Sequence, residues 1–260
     1  MQHFFRTLRI DLRRSILSVP FAVSLLILLF IQVVAVFAEL TSEAYTGSFT
    51  DWPYYLNLAS TYSLQPFAML IAACLGYAWS YCQDKGSGFY DQAVQRVGFR
   101  VYSLSRILSV TLSALLAGFL SVCFFTLFLL SLNHLGTALD NNYENRAVYL
   151  HLIHLGKPFL FVCFRALHNG LVCAMAASVG LAVSAYIPNA HVAVFSPLIL
   201  YLILNTIGKV TGSTWFHPHQ LLFFQYHRNV WHNLFLVFMV TADIMVISGY
   251  LFYRQAERRR

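Results

Sequence analysis

The stretch Gln83-Asp84-Lys85-Gly86-Ser87-Gly88-Phe89-Tyr90-Asp91-Gln92-Ala93-Val94-Gln95-Arg96-Val97-Gly98-Phe99-Arg100 lies between two long apolar runs, and its charge decides how the chain is read. It carries Lys85, Arg96 and Arg100, and Arg106 follows closely. Two other stretches share this character. Residues 1–18 hold Arg6, Arg9, Arg13 and Arg14, and residues 253–260 hold Arg254, Arg258, Arg259 and Arg260. Together the three contain most of the 17 Lys and Arg of the chain. Cytoplasmic segments of membrane proteins carry an excess of Lys and Arg. All three stretches are therefore expected on the inner side of a cell membrane. Both termini are then cytoplasmic and the number of spans is even.

Composition leads to the same class. The chain is 58% hydrophobic and only 10% charged, with a mean hydropathy of +0.63. Soluble domains average about 25% charged residues. The net charge of +7 does not point to nucleic acid, because the cations cluster beside apolar runs and form no basic face. They read as topology determinants and contacts to anionic lipids. The five cysteines (Cys74, Cys82, Cys123, Cys163 and Cys173) fall within or at the ends of apolar runs, which suits core thiols better than a disulfide framework.

A membrane-crossing helix needs about 20 mostly apolar residues. Six runs qualify: 19–38, 62–81, 107–132, 158–187, 191–210 and 230–253. The first is longer than the roughly 7–15 apolar residues of a signal peptide and is expected to be a span. The fold expected is an all-α membrane protein with one six-span domain over 19–260. Outer loops fall at 39–61, 133–157 and 211–229, and an inner turn surrounds Pro188-Asn189-Ala190. Residues 1–18 place Phe4, Phe5, Leu8, Leu12 and Ile16 at helical spacing among arginines, as in an amphipathic helix lying in the interface plane. Small residues recur every four positions at Ser105, Ser109, Ser113, Ala117 and Ser121, and again at Gly170, Ala174, Ser178 and Ala182. Such rows mark close helix–helix contact in lipid.

Within the inner segment 83–106, Gly86 and Gly88 break the preceding span. Phe89-Tyr90, Ala93-Val94 and Val97 then repeat at helical spacing, and Gly98 is a stop signal. The spacing predicts a short amphipathic helix parallel to the membrane. It either covers the ends of its own bundle or docks into a groove on a soluble partner.

Over essentially its whole length the chain resembles the membrane-spanning subunits of type 2 ATP-binding-cassette (ABC) exporters. The resemblance lies in the amphipathic N-terminal helix, the six spans with both ends inside, and the inner helix between spans two and three. Tyr102-Ser103-Leu104-Ser105-Arg106 is similar to the family's lead into span three. Phe216-His217-Pro218-His219-Gln220-Leu221-Leu222 is similar to its Pro-containing segment between the last two spans. Many members carry Glu and a Gly-Thr pair at the head of the inner helix, where this chain has Gly88-Phe89-Tyr90-Asp91. The resemblance implies that this is a coupling helix fitting a cleft on an ATPase subunit, with Phe89, Tyr90, Gln92, Val94, Arg96 and Arg100 as the ATPase-coupling residues. It implies a permease that exports an amphipathic, peptide-like or lipid-like substrate by alternating access. The assembly would contain a second permease subunit, identical or different, and two ABC ATPase copies that hold ATP and Mg. The chain has no Gly-x-x-x-x-Gly-Lys-Ser/Thr phosphate loop, so no cofactor and no enzyme activity are expected on it.

Three ionisable residues fall within spans: Arg165, His168 and Asp243. His168 and Asp243 count to a similar depth, roughly 15 Å from the outer ends at 1.5 Å per residue. Charged groups there face a bundle interior or a wet cavity. Asp243 paired with His168 or Arg165 is therefore expected either along a translocation path or as a structural clasp. Outer-side histidines include His134, His151, His154, His217, His219, His227 and His232. His151-x-x-His154 and His217-Pro-His219 each offer two metal ligands, but no acids are interleaved and no metal site is expected. Two alternatives to transport remain: a membrane scaffold or immunity protein that holds a soluble partner by the inner helix, and a histidine-dependent metal or haem handler.

Overall fold

The computed structural model describes residues 2–46, 52–61, 65–132, 149, 151–212, 218 and 230–258. Most of the outer loops expected at 133–157 and 211–229 lie outside the described residues, as do His134, His217, His219 and His227. Every regular element described is a helix. In chain order they are α1 (Gln2–Ile16), α2 (Val19–Thr46), α3 (Trp52–Thr61), α4 (Gln65–Tyr77), α5 (Ser80–Gly86), α6 (Phe89–Val97), α7 (Phe99–Ser131), α8 (His151–His154), α9 (Pro158–Tyr186), α10 (Ala190–Thr211) and α11 (Val230–Arg258).

Five of these helices, α2, α7, α9, α10 and α11, are long and apolar enough to cross a membrane. They occupy five of the six apolar runs. The run at 62–81 differs, because it is not one helix. α4 has 13 residues, or about 20 Å at 1.5 Å per residue, against roughly 30 Å of bilayer hydrocarbon. Pro66 sits in the first turn of α4, where its missing N–H breaks no helical bond, so it favours a start there. At the other end the chain turns at Ala78–Trp79 before α5 begins. The indole Nε1 of Trp79 donates to the Leu75 carbonyl at 3.0 Å. That carbonyl would accept from the Trp79 N–H in an unbroken helix, so the side chain satisfies what the turn releases.

α9 is buried along most of its length and packs against α4, α7, α10 and α11. α10 and α11 instead expose most of their apolar side chains, among them Ile199, Ile203, Phe235, Val246 and Ile247. Burial falls into two clusters, one at the end away from the arginines and one running from the middle of the bundle to the basic end. One gathers Val36, Trp52, Tyr55, Phe125, Leu129 and Phe161. The other gathers Tyr81, Tyr90, Phe99, Tyr102, Phe252 and Ala256. α1 and the last turns of α11 both join the second: Ser105 Oγ of α7 donates to Asp11 of α1, and Tyr90 donates its hydroxyl proton to the Ala256 carbonyl at 3.2 Å. Both terminal helices thus meet α5–α7 at one end of the bundle, which also holds most of the arginines.

The rows of small residues expected on α7 and α9 are buried, and the two backbones approach closely within and beside them. A Cβ on Gly118 would stand 2.7 Å from Cys173 Sγ and 3.0 Å from the Asn169 carbonyl oxygen; one on Gly170 would stand 2.7 Å from the Leu115 carbonyl oxygen. Glycine at these two places lets the backbones touch. Gly170→Ala should therefore force α7 from α9 and destabilise the protein by about 1–3 kcal/mol, seen as an earlier thermal transition in detergent. Gly86→Ala, whose Cβ would meet nothing within 4 Å, should leave the transition in place.

Candidate functional site

The basic end of the bundle is built around one carboxylate. Asp84, on α5, is completely buried although it comes from the most polar segment of the chain. The turn at Ala78–Trp79 swings α5 so that Asp84 points back into the bundle. Its Oδ2 receives Arg106 from the second turn of α7 as an ion pair and accepts the Tyr102 hydroxyl at 3.0 Å. Its Oδ1 lies 3.1 Å from Arg14 Nη2, at ion-pair distance but off the hydrogen-bond direction. Arg106 is also fully buried. It donates to the Tyr77 hydroxyl, and its guanidinium carbon stands 5.1 Å from the Tyr77 ring and 5.3 Å from the Tyr102 ring. Desolvating such ions costs several kcal/mol each, so the pair holds only because further hydrogen bonds and rings surround it.

This centre joins four elements: α1 through Arg14, α4 through Tyr77, α5 through Asp84, and α7 through Tyr102 and Arg106. It reaches α6 as well, because the Arg14 guanidinium carbon lies 5.1 Å over the Phe89 ring. The signal in the sequence was an acid within a basic segment, with a basic residue at the head of an apolar run. Charge patterning marks Arg14 and Arg106 as cations flanking apolar runs, with Arg106 also closing the Tyr102–Arg106 lead into the third run, and it does not mark Asp84 or Asp11 as buried.

α6 is bracketed by Gly88 and Gly98, at φ 72° and 83°, conformations that glycine adopts without a Cβ penalty. Its coupling candidates divide by face. Tyr90 and Val94 are buried against their own bundle. Tyr90 packs edge-on to Tyr81 and Tyr102 at centroid separations of 5.6 and 5.4 Å, and Tyr81 continues the contact to Phe252 at 5.2 Å. Phe89, Gln92, Arg96 and Arg100 are exposed. The helix therefore caps its own bundle with one face and offers the other outward.

The intramembrane residues are not brought together. His168 and Arg165 are buried on α9, with His168 Nδ1 3.0 Å from the Tyr149 hydroxyl. Burial pushes the Tyr149 phenol up to about 12, against the opposing charge of Arg165, so it keeps its proton at neutral pH. Asp243 is exposed on α11, and no ion pair joins it to α9 among the described residues. The reason is rotation, not depth. The buried positions of α11 include Val237, Thr241, Ser248 and Phe252, and Asp243 stands two residues, about 200°, round the helix from Thr241. Among the described residues no three His, Cys, Asp or Glu side chains cluster as metal ligands.

Arg106→Leu should leave Asp84 buried with only the half-exposed Arg14 as counter-charge. A loss of about 3–5 kcal/mol is expected, visible as poor recovery of monodisperse protein and an early melt. Asp84→Leu combined with Arg106→Leu should recover part of that loss, because the double change removes both buried ions.

No family model, curated protein or solved structure matches this chain.

Proposed function

We infer that the chain is the permease subunit of an ATP-driven exporter in the cell membrane, with its basic end in the cytoplasm. The observation that carries this reading is α6. It is an amphipathic helix at the basic end, locked to α5, α7 and α11 by buried tyrosines, with Phe89, Gln92 and Arg96 left outward and Arg100 exposed just beyond it at the start of α7. A helix fixed on one face and free on the other suits the transfer of a push from a soluble motor to the spans behind it. On this reading two ATPases with ATP and Mg dock on two permease subunits.

Six crossings are supported by the positions of the chain ends. Five long helices are an odd number, yet both terminal helices meet at the basic end. The run α3–α4–α5 supplies the missing passage, with Trp52 in one burial cluster and Tyr81 in the other. A broken crossing is tolerated where protein surrounds it, and α4 packs against α2, α7, α9 and α10. Asp243 fits the same picture. A carboxylate within a span belongs on a wet or protein-covered surface, so the exposed face of α11 would border the second subunit or the substrate path.

Two measurements test this. A cysteine placed at Ser87, which is exposed between α5 and α6, should react with an impermeant reagent only from the cytoplasmic side. Labelling from outside would invert the topology and remove the docking site. The second compares the two faces of α6. Phe89→Ala with Arg96→Ala should weaken ATPase binding by roughly thirtyfold or more, since interface anchors contribute about 2 kcal/mol or more, with the melting temperature lowered only slightly by loss of the Arg14–Phe89 stack. Tyr90→Ala should do the reverse. A Phe89/Arg96 variant that exports and couples normally would refute the coupling role.

A further inference from the structure

α11 turns one side to the bundle and leaves the other bare. Val237, Thr241, Ser248, Phe252 and Ala256 form the buried side. On the opposite side Leu236, Met239, Asp243, Val246 and Tyr250 follow one another at alternating steps of three and four residues. All of these but Leu236 are exposed. Such steps are the spacing of a seam along which two helices wind round each other. Asp243 occupies the middle of the seam, about 20 Å along α11 from Val230 at 1.5 Å per residue. It has no hydrogen bond or ion pair among the described residues. Ionisable groups inside a span almost always face protein or a wet cavity. This side of α11 therefore meets something other than acyl chains.

The chemistry of the seam indicates what covers it. Two copies of one chain lie the same way up in a membrane, so a twofold axis along the membrane normal sets each residue of α11 near itself at equal depth. A carboxyl group suits that arrangement. Carrying a proton, it donates one hydrogen bond and accepts others, so two Asp243 side chains complete each other without a cation. A foreign helix would have to bring its own donor to that depth. The cytoplasmic end of α11 points the same way. Arg254 and Glu257 are both exposed, and neither is in an ion pair among the described residues. Glu257 lies seven residues beyond Tyr250 on the seam, and Arg254 borders it. In a parallel pair each acid comes beside the arginine of the other chain, and symmetry makes the two contacts equal. We propose that α11 packs against α11 of a second copy of this chain, with the two Asp243 carboxyls hydrogen-bonded to each other at the centre. One polar residue in an apolar seam fixes register and helix number, because any slip leaves both carboxyls facing hydrocarbon. The inference rests on the permease reading for the presence of a second subunit, and it makes that subunit identical to the first.

The test uses the full chain in membranes, with cysteine placed at Met239 or at Tyr250 and thiols oxidised by copper phenanthroline. Dimer is read on non-reducing gels against the unsubstituted chain, which has five cysteines of its own. Ile199→Cys, on an exposed side of α10, is the control. Met239→Cys and Tyr250→Cys should each give dimer well above that baseline, and Ile199→Cys should not. Asp243→Leu should weaken association by about tenfold, the size of interhelical hydrogen bonding in lipid. Asp243→Asn, whose amide also donates and accepts, should keep the dimer. Arg254→Glu should weaken it, and Arg254→Glu with Glu257→Arg should restore it. Full association of Asp243→Leu would overturn the carboxyl pair. Cross-links at Ile199 with none at Met239 or Tyr250 would move the contact to another helix and overturn the proposal, leaving the permease reading whole. No cross-link on α11 together with lost export in Asp243→Asn would give the face to the substrate path and overturn it too. A chain that stays monomeric in bilayers would overturn it and also remove the second subunit from the permease reading. ATPase binding through Phe89, measured on the same variants, reports the permease reading separately.

Discussion

A carboxylate sealed from water has to be answered by cations and donors, and Asp84 organises the basic end on that condition. Arg106 and Tyr102 reach it from α7 and Arg14 from α1, while Tyr77 holds Arg106 from the end of α4. Each of these groups keeps its partners only if its helix stays where it is. Apolar packing alone would allow α1 and α5 to slide, because methyl groups in lipid or protein have similar neighbours. An ion pair with fixed directions does not allow this.

The aromatic contacts carry that position outward. Tyr102 serves two roles, since its hydroxyl meets Asp84 while its ring meets Tyr90. Through Tyr90 and Tyr81 the register of α6 is tied to Phe252 on the last helix. A displacement of α6 therefore moves the ends of α5, α7 and α11 together. Arg14 adds a second connection from α1 to Phe89. The surface helix has no independent hinge other than the glycines at its two ends.

The helices themselves were legible, since long apolar runs and flanking arginines fix most of their bounds, and the glycine brackets of α6 announce its limits. The broken second run was not legible, because hydropathy sums over Ala78 and Trp79 without registering that an indole can take a backbone carbonyl. The site was half legible. Periodicity placed Phe89 and Tyr90 on one short helix but left open which of them turned inward, and the answer depends on Tyr81, Tyr102 and Phe252, distant in sequence. Asp243 shows the same limit: depth can be counted along a chain, whereas rotation about α11 depends on which neighbours pack against it. Asp84 and Asp11 were hidden because an acid among arginines reads as solvated until its partners are seen.

The shortness of α4 bears on the order in which the chain is assembled. Membrane helices usually become stable one by one as they leave the insertion machinery and only afterwards associate. A helix of 13 residues does not cover the hydrocarbon thickness, and most of its residues are buried against α2, α9 and α10. Two of those neighbours are synthesised much later. The contacts of α4 with α9 and α10 therefore form only after those later helices have been made.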